Sequence, residues 1–227
     1  MPAAGSWECL LPMGVLAFFI AVAGTINIVA DYRRSLSLKY VTKPLTTLLI
    51  VALALTREPV DRTYQVFIVI GLLFSLAGDV FLMLPEEPRS HFLAGLASFF
   101  LAHVCYIGGF SVRSTWAWSH VAALLVLALV GAGLCGYLWR RLGPLKGPVL
   151  CYTAIIVGMA WRATARLDAP EVPKVGAVLA MIGALLFMLS DACLAVARFA
   201  RSFHASRAIV LSTYFTAQTL IAMSVRT

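Results

Sequence analysis

The chain has 227 residues, of which 61% are hydrophobic and 12% charged, and its mean hydropathy is +0.92. A soluble domain of this length has too little interior to hide so much apolar surface, so the composition predicts an integral membrane protein. The net charge of +8 comes from lysines and arginines scattered through short loops, which indicates membrane orientation and anionic lipid headgroups and excludes a nucleic-acid partner.

Eight apolar segments follow one another along the chain, each close to the roughly 20 residues that a helix needs to cross the hydrocarbon core. The sequence therefore predicts an all-α polytopic membrane protein with a single domain over residues 1–227. We expect a multi-pass integral protein, located in the cell membrane if the source is bacterial. The predicted spans are residues 9–30, 40–56, 64–84, 92–110, 118–139, 148–165, 175–197 and 207–225.

The third and seventh segments contain similar runs, GLLFSLAGDVFL at residues 71–82 and GALLFMLSDACL at residues 183–194. Glycine, leucine, a small residue, aspartate and leucine coincide when one run is shifted by 112 residues onto the other. This match predicts a parallel 4+4 internal repeat with pseudo-repeats of about 9–110 and 118–225. Each half then carries one aspartate, Asp79 or Asp191.

A carboxylate at membrane depth costs about 2.5 to 3.5 kcal/mol on insertion scales, so it commonly faces a protein-lined cavity and has a function. Asp79 and Asp191 come late in helices that run in the same direction, which predicts that they share one depth. The structural alternative is a hydrogen bond that bridges two helices. Duplication of the acid at one depth favours a functional pair.

Other polar residues are predicted on the same side of the membrane. In the second segment a lysine and the proline after it are expected to open the helix, and the fourth and eighth segments contain polar pairs at helical spacing. Taken singly, these residues have structural alternatives as interfacial anchors, buried hydrogen-bonding groups or links between helices. Together they predict one pocket lined by Lys43 beside Pro44, His103 and Tyr106, Tyr152, and Tyr214 with Gln218.

Several chemistries have no supporting motif. The sequence lacks HxxxH and HExxH zinc motifs, a GxSxG nucleophile turn, a glycine-rich phosphate loop and CxxC pairs. The five cysteines lie in or beside apolar segments and are predicted to be packing residues. Acid chemistry by two carboxyls remains, with no metal and no cofactor.

In order along the chain, these residues match a known pattern. The matching elements are Lys43-Pro44, Gly78-Asp79, His103-x-x-Tyr106, Tyr152 followed by Trp161-Arg162, Ser190-Asp191 and Tyr214-x-x-x-Gln218. The set resembles the YhhN-like membrane proteins, whose vertebrate members are lysoplasmalogenases. The resemblance implies an eight-helix enzyme that cleaves the vinyl-ether bond of a lysoplasmalogen, giving a fatty aldehyde and glycerophosphoethanolamine or glycerophosphocholine.

Acid chemistry suits that reaction. A vinyl ether is hydrolysed by protonation of its β-carbon, so one aspartate is predicted to be the proton donor and the other to stabilise the cation and orient water. The sequence does not distinguish the two roles. We expect Lys43 to hold the lipid phosphate and the other pocket residues to position water and the glycerol end. The predicted catalytic residues are Asp79 and Asp191, and the predicted substrate-binding residues are Lys43, His103, Tyr106, Tyr152, Tyr214 and Gln218.

Two other functions fit intramembrane acids. A proton-coupled transporter or channel would use them to bind protons or ions, although no span has the central Gly/Pro break typical of such sites. An intramembrane aspartyl protease would pair two aspartates, but the run Leu76-Ala77-Gly78-Asp79 lacks the first glycine of a GxGD element. The expected partners are a lysophospholipid substrate and membrane lipids, and the oligomeric state is left open.

Overall fold

The computed structural model describes residues 6–56, 58–85, 90–114, 119–201 and 205–226. Within these ranges the chain is helical and contains no strand. Two short 3₁₀ turns, Gly143–Leu145 and Arg166–Asp168, flank the sixth helix. The eight helices are α1 (Ser6–Tyr32), α2 (Leu36–Leu55), α3 (Arg62–Met83), α4 (Ser90–Ser111), α5 (Ser119–Leu138), α6 (Lys146–Ala165), α7 (Lys174–Phe199) and α8 (Ser206–Met223).

Seven of the described helices, α1 to α7, are long and apolar enough to cross a membrane. This confirms a multi-pass integral membrane protein. The helix α8 has 18 residues but includes Arg207 and Gln218, which lower its hydropathy. The count of eight spans therefore stays a prediction. The predicted fifth span begins at residue 118, which lies outside the described residues.

Consecutive helices are joined by connections too short to cross the membrane. Residues 84–89 between α3 and α4 can extend by at most about 3.5 Å each, which is less than the length of a spanning helix. The end of α3 and the start of α4 therefore lie at the same end of the bundle. By the same reasoning this end, called here the α1–α2 end, also carries the α5–α6 and α7–α8 connections.

The packing of the helices is similar in the two halves of the chain. In the first half α3 packs on α4 and α1 on α2, and in the second half α7 packs on α8 and α5 on α6. Between the halves, α2 packs on α8 and α6 packs on α4. This pattern supports the parallel 4+4 repeat, which stays a prediction.

The glycine at the start of each repeated run allows a close approach between helices. A Cβ on Gly71 would lie 2.4 Å from the ring of Tyr106 in α4. A Cβ on Gly183 would lie 2.9 Å from the carbonyl oxygen of Ala217 and 2.8 Å from Ile221, both in α8. Glycine is therefore required at both positions for α3 to pack on α4 and for α7 to pack on α8.

The predicted start of the second helix is wrong. Lys43 and Pro44 were expected to open it, but α2 begins at Leu36 and continues through Pro44. Nearby, the hydroxyl of Thr46 donates to the carbonyl of Thr42 at 2.8 Å. Membrane helices tolerate proline when side-chain hydroxyls and neighbouring helices satisfy the backbone groups around it.

Candidate active site

Asp79 lies near the end of α3, where it is only 1% exposed. The ammonium of Lys43 is 3.0 Å from Oδ1, and the hydroxyls of Thr47 and Tyr214 each donate to Oδ2 at 2.8 Å. Lys43 and Thr47 are four residues apart and so lie on one face of α2. Asp79 is therefore a buried carboxylate held by one cation and two hydroxyl donors from α2 and α8.

Asp191 lies in α7, in different surroundings. Its side chain is 15% exposed, and the hydroxyl of Tyr152 in α6 donates to Oδ2. The Nε2 atom of His103 in α4 is 3.9 Å from the same oxygen and has no hydrogen-bond partner among the described residues. Within the described part of the chain, no lysine or arginine forms an ion pair with Asp191. The two predicted acids therefore differ in their charged neighbours.

The remaining predicted residues lie behind these side chains. The hydroxyl of Tyr106 donates to Oε1 of Gln218 at 2.6 Å, and both residues are fully buried. The ring of Phe187 packs edge-on against His103, with centroids 4.7 Å apart, and against Tyr214 at 5.5 Å. Tyr106, Gln218 and His103 thus form an inner layer and do not line the cavities described next.

A polar cavity of about 610 Å³ opens between α1, α2, α3, α7 and α8 at the α1–α2 end. Asp79, Asp191 and Tyr214 all line it. The cationic side chains on its wall outnumber the carboxylates, so the cavity suits an anionic group. The cations are Arg34, Lys39, Lys43, Arg198 and Arg207, and the carboxylates are Asp31, Asp79 and Asp191.

An apolar cavity of about 470 Å³ adjoins the polar one and extends between α5, α6 and α7. Its walls include Leu127, Leu134 and Met188, and Tyr152 reaches it from α6. Asp191 lines both cavities, whereas Asp79 lines only the polar one. Asp191 therefore lies where an apolar chain and a polar headgroup would meet.

Several residues in or beside the site were missed by the sequence reasoning. Thr47, which bonds Asp79, follows Lys43 by four residues, and that helical spacing was the available signal. Arg34, Arg198 and Arg207 were counted only as loop charges. Lys43 was assigned to the lipid phosphate, but its ammonium is already paired with Asp79.

Among the described residues, no group of three or more His, Cys, Asp or Glu side chains is arranged to hold a metal ion. Cys105, Cys135, Cys151 and Cys193 are free thiols. The protein is thus a polytopic helical membrane protein in which two carboxyls line a polar cavity and one of them, Asp191, also lines an adjoining apolar cavity.

The chain belongs to the YhhN family, whose model matches residues 38–225. This confirms the resemblance drawn from the ordered motifs.

Named relatives cover much of the chain. The membrane protein YhhN of Escherichia coli O157:H7 is 31% identical over 209 residues, covering 91% of this chain and 97% of its own length. Lysoplasmalogenase TMEM86A of Bos taurus is 37% identical over 165 residues, covering 69% of this chain and 64% of its own length. The lysoplasmalogenase of Mycobacterium bovis is 28% identical over 177 residues, covering 76% of this chain and 64% of its own length. No solved structure matches the chain.

Proposed function

We propose that the protein is a lysoplasmalogenase-type hydrolase that cleaves the vinyl-ether bond of an alkenyl lysophospholipid, releasing a fatty aldehyde and a glycerophospho-alcohol. The observation that carries the proposal is the meeting of a cation-lined cavity and an apolar cavity at Asp191. Names of relatives support the same reaction, since the bovine and mycobacterial proteins are lysoplasmalogenases.

The two cavities fit the two ends of such a lipid. The alkenyl chain occupies the apolar cavity, and the phosphate and headgroup occupy the polar cavity with its excess of cations. The vinyl ether joins the alkenyl chain of the lipid to its glycerol, so the vinyl ether lies at the boundary between the cavities. That boundary brings the double bond next to Asp191.

The unequal surroundings of the acids support different roles. Asp79 has an ammonium and two hydroxyl donors, all of which stabilise a negatively charged carboxylate. Asp191 has one hydroxyl donor and shares its cavity with apolar side chains, surroundings that favour a neutral carboxylic acid. Asp191 is therefore the proton donor, and Asp79 is the carboxylate that stays ionised.

Protons balance over the cycle. Asp191 gives its proton to the β-carbon of the vinyl ether, which leaves a carboxylate and an oxocarbenium ion. Water adds to the carbon bonded to the ether oxygen, and Asp191 takes up the proton that the water loses. The hemiacetal then breaks its bond to the glycerol oxygen, as Asp191 protonates that oxygen and accepts the hemiacetal hydroxyl proton. Aldehyde and glycerophospho-alcohol leave, and Asp191 is protonated again.

The other polar residues hold this arrangement. Asp79 contributes fixed negative charge and orients the attacking water, while Lys43, Thr47 and Tyr214 keep its carboxylate in place. Tyr152 orients Asp191 toward the boundary of the cavities. His103, Tyr106 and Gln218 support these groups from the inner layer. The 4+4 repeat supplies one carboxyl from each half.

An activity assay with matched substrates tests the proposal. Purified protein in lipid nanodiscs is incubated with 1-alkenyl lysophosphatidylethanolamine, and fatty aldehyde is trapped and quantified. The 1-alkyl analogue is the control substrate, because it has the same ether oxygen and headgroup but no double bond to protonate. Aldehyde from the alkenyl lipid alone, without nucleotide or ion gradient, is the expected result. No aldehyde from either lipid, with proton or ion flux across liposomes, would favour the transporter.

The matched protein control is a carboxyl far from the site. Asp168 lies in the 3₁₀ turn after α6, at the opposite end of the bundle, and its side chain is 56% exposed. Asp168→Asn removes one carboxyl in the same way as Asp191→Asn but leaves both cavities unchanged. Aldehyde release should persist in Asp168→Asn and disappear in Asp191→Asn.

A further inference from the structure

The turn between α1 and α2 contains an arginine in a conformation that favours glycine. Arg34 has a φ angle of +54°. The amide of Ser35 donates to the carbonyl of Ala30 at 3.0 Å, and the amide of Arg34 donates to that of Asp31 at 3.2 Å. These two bonds form a Schellman motif with Arg34 at the left-handed position, where a residue with a Cβ is strained by roughly 1 kcal/mol or more.

A second arginine in the protein has the same backbone conformation for a visible reason. Arg113, at the end of α4, has a φ angle of +56° and its Nε lies 2.7 Å from Oδ2 of Asp61. The guanidinium of Arg34 makes no ion pair or hydrogen bond with the residues that the structure describes. The Schellman hydrogen bonds account for the backbone conformation of Arg34 but not for an arginine in place of glycine, and strained residues of this kind are concentrated at functional sites. The side chain of Arg34 is therefore available to a ligand.

The surroundings of Arg34 identify the chemistry of that ligand. Arg34 lines the polar cavity together with Lys39 and Arg207. Asp31 is 7% exposed and holds both of these cations, with Lys39 at 2.7 Å and Arg207 at 3.3 Å. One carboxylate thus orients two cations while the third, Arg34, stays uncompensated. A cluster with excess positive charge and a planar guanidinium suits an oxyanion with several acceptor oxygens.

We propose that Arg34 binds the phosphate of the substrate lipid, with Lys39 and Arg207 as supporting cations oriented by Asp31. The inference rests on the proposed function and gives its substrate a phosphodiester headgroup. Lys43 does not serve this purpose, because its ammonium is engaged by Asp79. Arg34 precedes the part of the chain that matches the family, which begins at residue 38, so family membership does not supply this role.

Replacing Arg34 by glycine separates ligand binding from folding. Arg34→Gly removes the guanidinium and puts the preferred residue at the left-handed position, so the thermal midpoint of unfolding should not fall. KM for alkenyl lysophosphatidylethanolamine should rise about tenfold with kcat nearly unchanged, because one charge-assisted contact to the substrate is lost. Arg34→Asn, which also tolerates this conformation, should behave in the same way. Arg113→Gly is the matched control and should leave KM unchanged.

A substrate without phosphate distinguishes this inference from the proposed function. For 1-alkenylglycerol, which keeps the vinyl ether, wild type and Arg34→Gly should have equal kcat/KM. If wild type releases aldehyde from neither substrate, the proposed function fails. If wild type is active but Arg34→Gly leaves KM unchanged, or lowers kcat/KM equally for both substrates, the phosphate site is overturned.

Bulk lipid is the alternative source of a phosphate for Arg34. The two kinetic comparisons are therefore repeated in nanodiscs of phosphatidylcholine and of phosphatidylglycerol. A KM effect of the same size in both supports the substrate headgroup as the ligand. An effect that appears only in phosphatidylglycerol would make Arg34 an anchor to anionic membrane lipid and overturn the proposal.

Discussion

The ammonium of Lys43 lies 3.0 Å from the carboxylate of Asp79 inside the helix bundle. Under the predicted repeat, the 112-residue shift that relates the two aspartates places Ile155 at the position of Lys43. The predicted second repeat therefore has no cation at that position. This difference between Lys43 and Ile155 accords with the unequal roles that we propose for Asp79 and Asp191.

Replacing either acid by asparagine should lower kcat strongly. Asparagine keeps the size and much of the hydrogen bonding, but it cannot donate a proton to carbon or stay negatively charged. We expect Asp191→Asn and Asp79→Asn each to lose at least about 100-fold in aldehyde release. The double variant should be little worse than either single one, because the acids act as one unit. Near-normal turnover in either single variant would exclude the pair.

Lys43 should affect turnover more than substrate binding. Lys43→Met leaves the buried carboxylate of Asp79 without its cation, which lowers the stability of the protein. It also removes the ammonium that stabilises the negative charge on Asp79. The kcat should fall with little change in KM, as steady-state kinetics would measure. Adding Asp79→Asn to Lys43→Met should raise the thermal midpoint again, since no buried charge is left unpaired. A rise in KM alone would return Lys43 to the phosphate role that the sequence suggested.

The fold was largely predictable from apolar segments and one repeated run. Hydropathy marks the part of a helix that lies in the membrane core, and the hydrogen-bonded helix extends beyond it. The predicted span 175–197 is therefore shorter than the helix Lys174–Phe199, and the predicted span 9–30 is shorter than the helix Ser6–Tyr32. The predicted second span began at residue 40, with Lys43 and Pro44 interpreted as the opening of the helix, whereas α2 begins at Leu36. In soluble proteins proline often stands at the start of a helix, whereas this membrane helix continues through Pro44.

The site was predictable in composition but not in pairing. Buried polar residues are rare in apolar segments, so Asp79, Asp191 and His103 stood out from their neighbours. Their partners depend on how the helices pack, which is why Thr47 was missed and Lys43 was assigned to the lipid. The hydrogen bond between Tyr106 and Gln218 joins residues 112 positions apart, which equals the offset of the predicted repeat. A repeat axis passing between α4 and α8 would explain it.

The repeated glycine should be essential for packing in the second half. Gly183→Ala adds a Cβ that would lie 2.9 Å from the backbone carbonyl oxygen of Ala217, so α7 and α8 must separate. We expect a fall of several degrees in the thermal midpoint, corresponding to about 1 to 3 kcal/mol. Gly133→Ala in α5 is the control, because its Cβ would have no neighbour within 4 Å. An equal effect of both substitutions would contradict the packing account.

The residue that caps the N-terminus of α3 is Asp61. It should make the stability of the protein depend on pH below the usual pKa of aspartate. Burial raises the pKa of Asp61, but hydrogen bonds from the backbone of Tyr64 and Thr63, with the hydrogen bond and charge of Arg113, outweigh it and lower the pKa below 3.8. A carboxyl with a lowered pKa in the folded state stabilises the protein above its unfolded pKa, and this stabilisation is lost as pH falls through the folded value.

A matched variant isolates that contribution. The thermal midpoints of wild type and Asp61→Asn are compared between pH 7 and pH 3. Their difference should be constant down to about pH 4, near the ordinary pKa of aspartate, and should shrink below it. A difference that grows as the pH falls would mean that folding raises the pKa of Asp61 and does not lower it.

Isotopic labelling of the products tests the central claim most directly. Turnover of alkenyl lysophosphatidylethanolamine in D₂¹⁸O is stopped early, and both products are analysed by mass spectrometry. A control in which the aldehyde alone is kept in the same solvent measures isotope exchange. Protonation of the β-carbon by an acid that exchanges with solvent, the role proposed for Asp191, predicts one deuterium on the carbon next to the aldehyde and no ¹⁸O in the glycerophospho-alcohol. An aldehyde without deuterium, or ¹⁸O in the glycerophospho-alcohol, would contradict it.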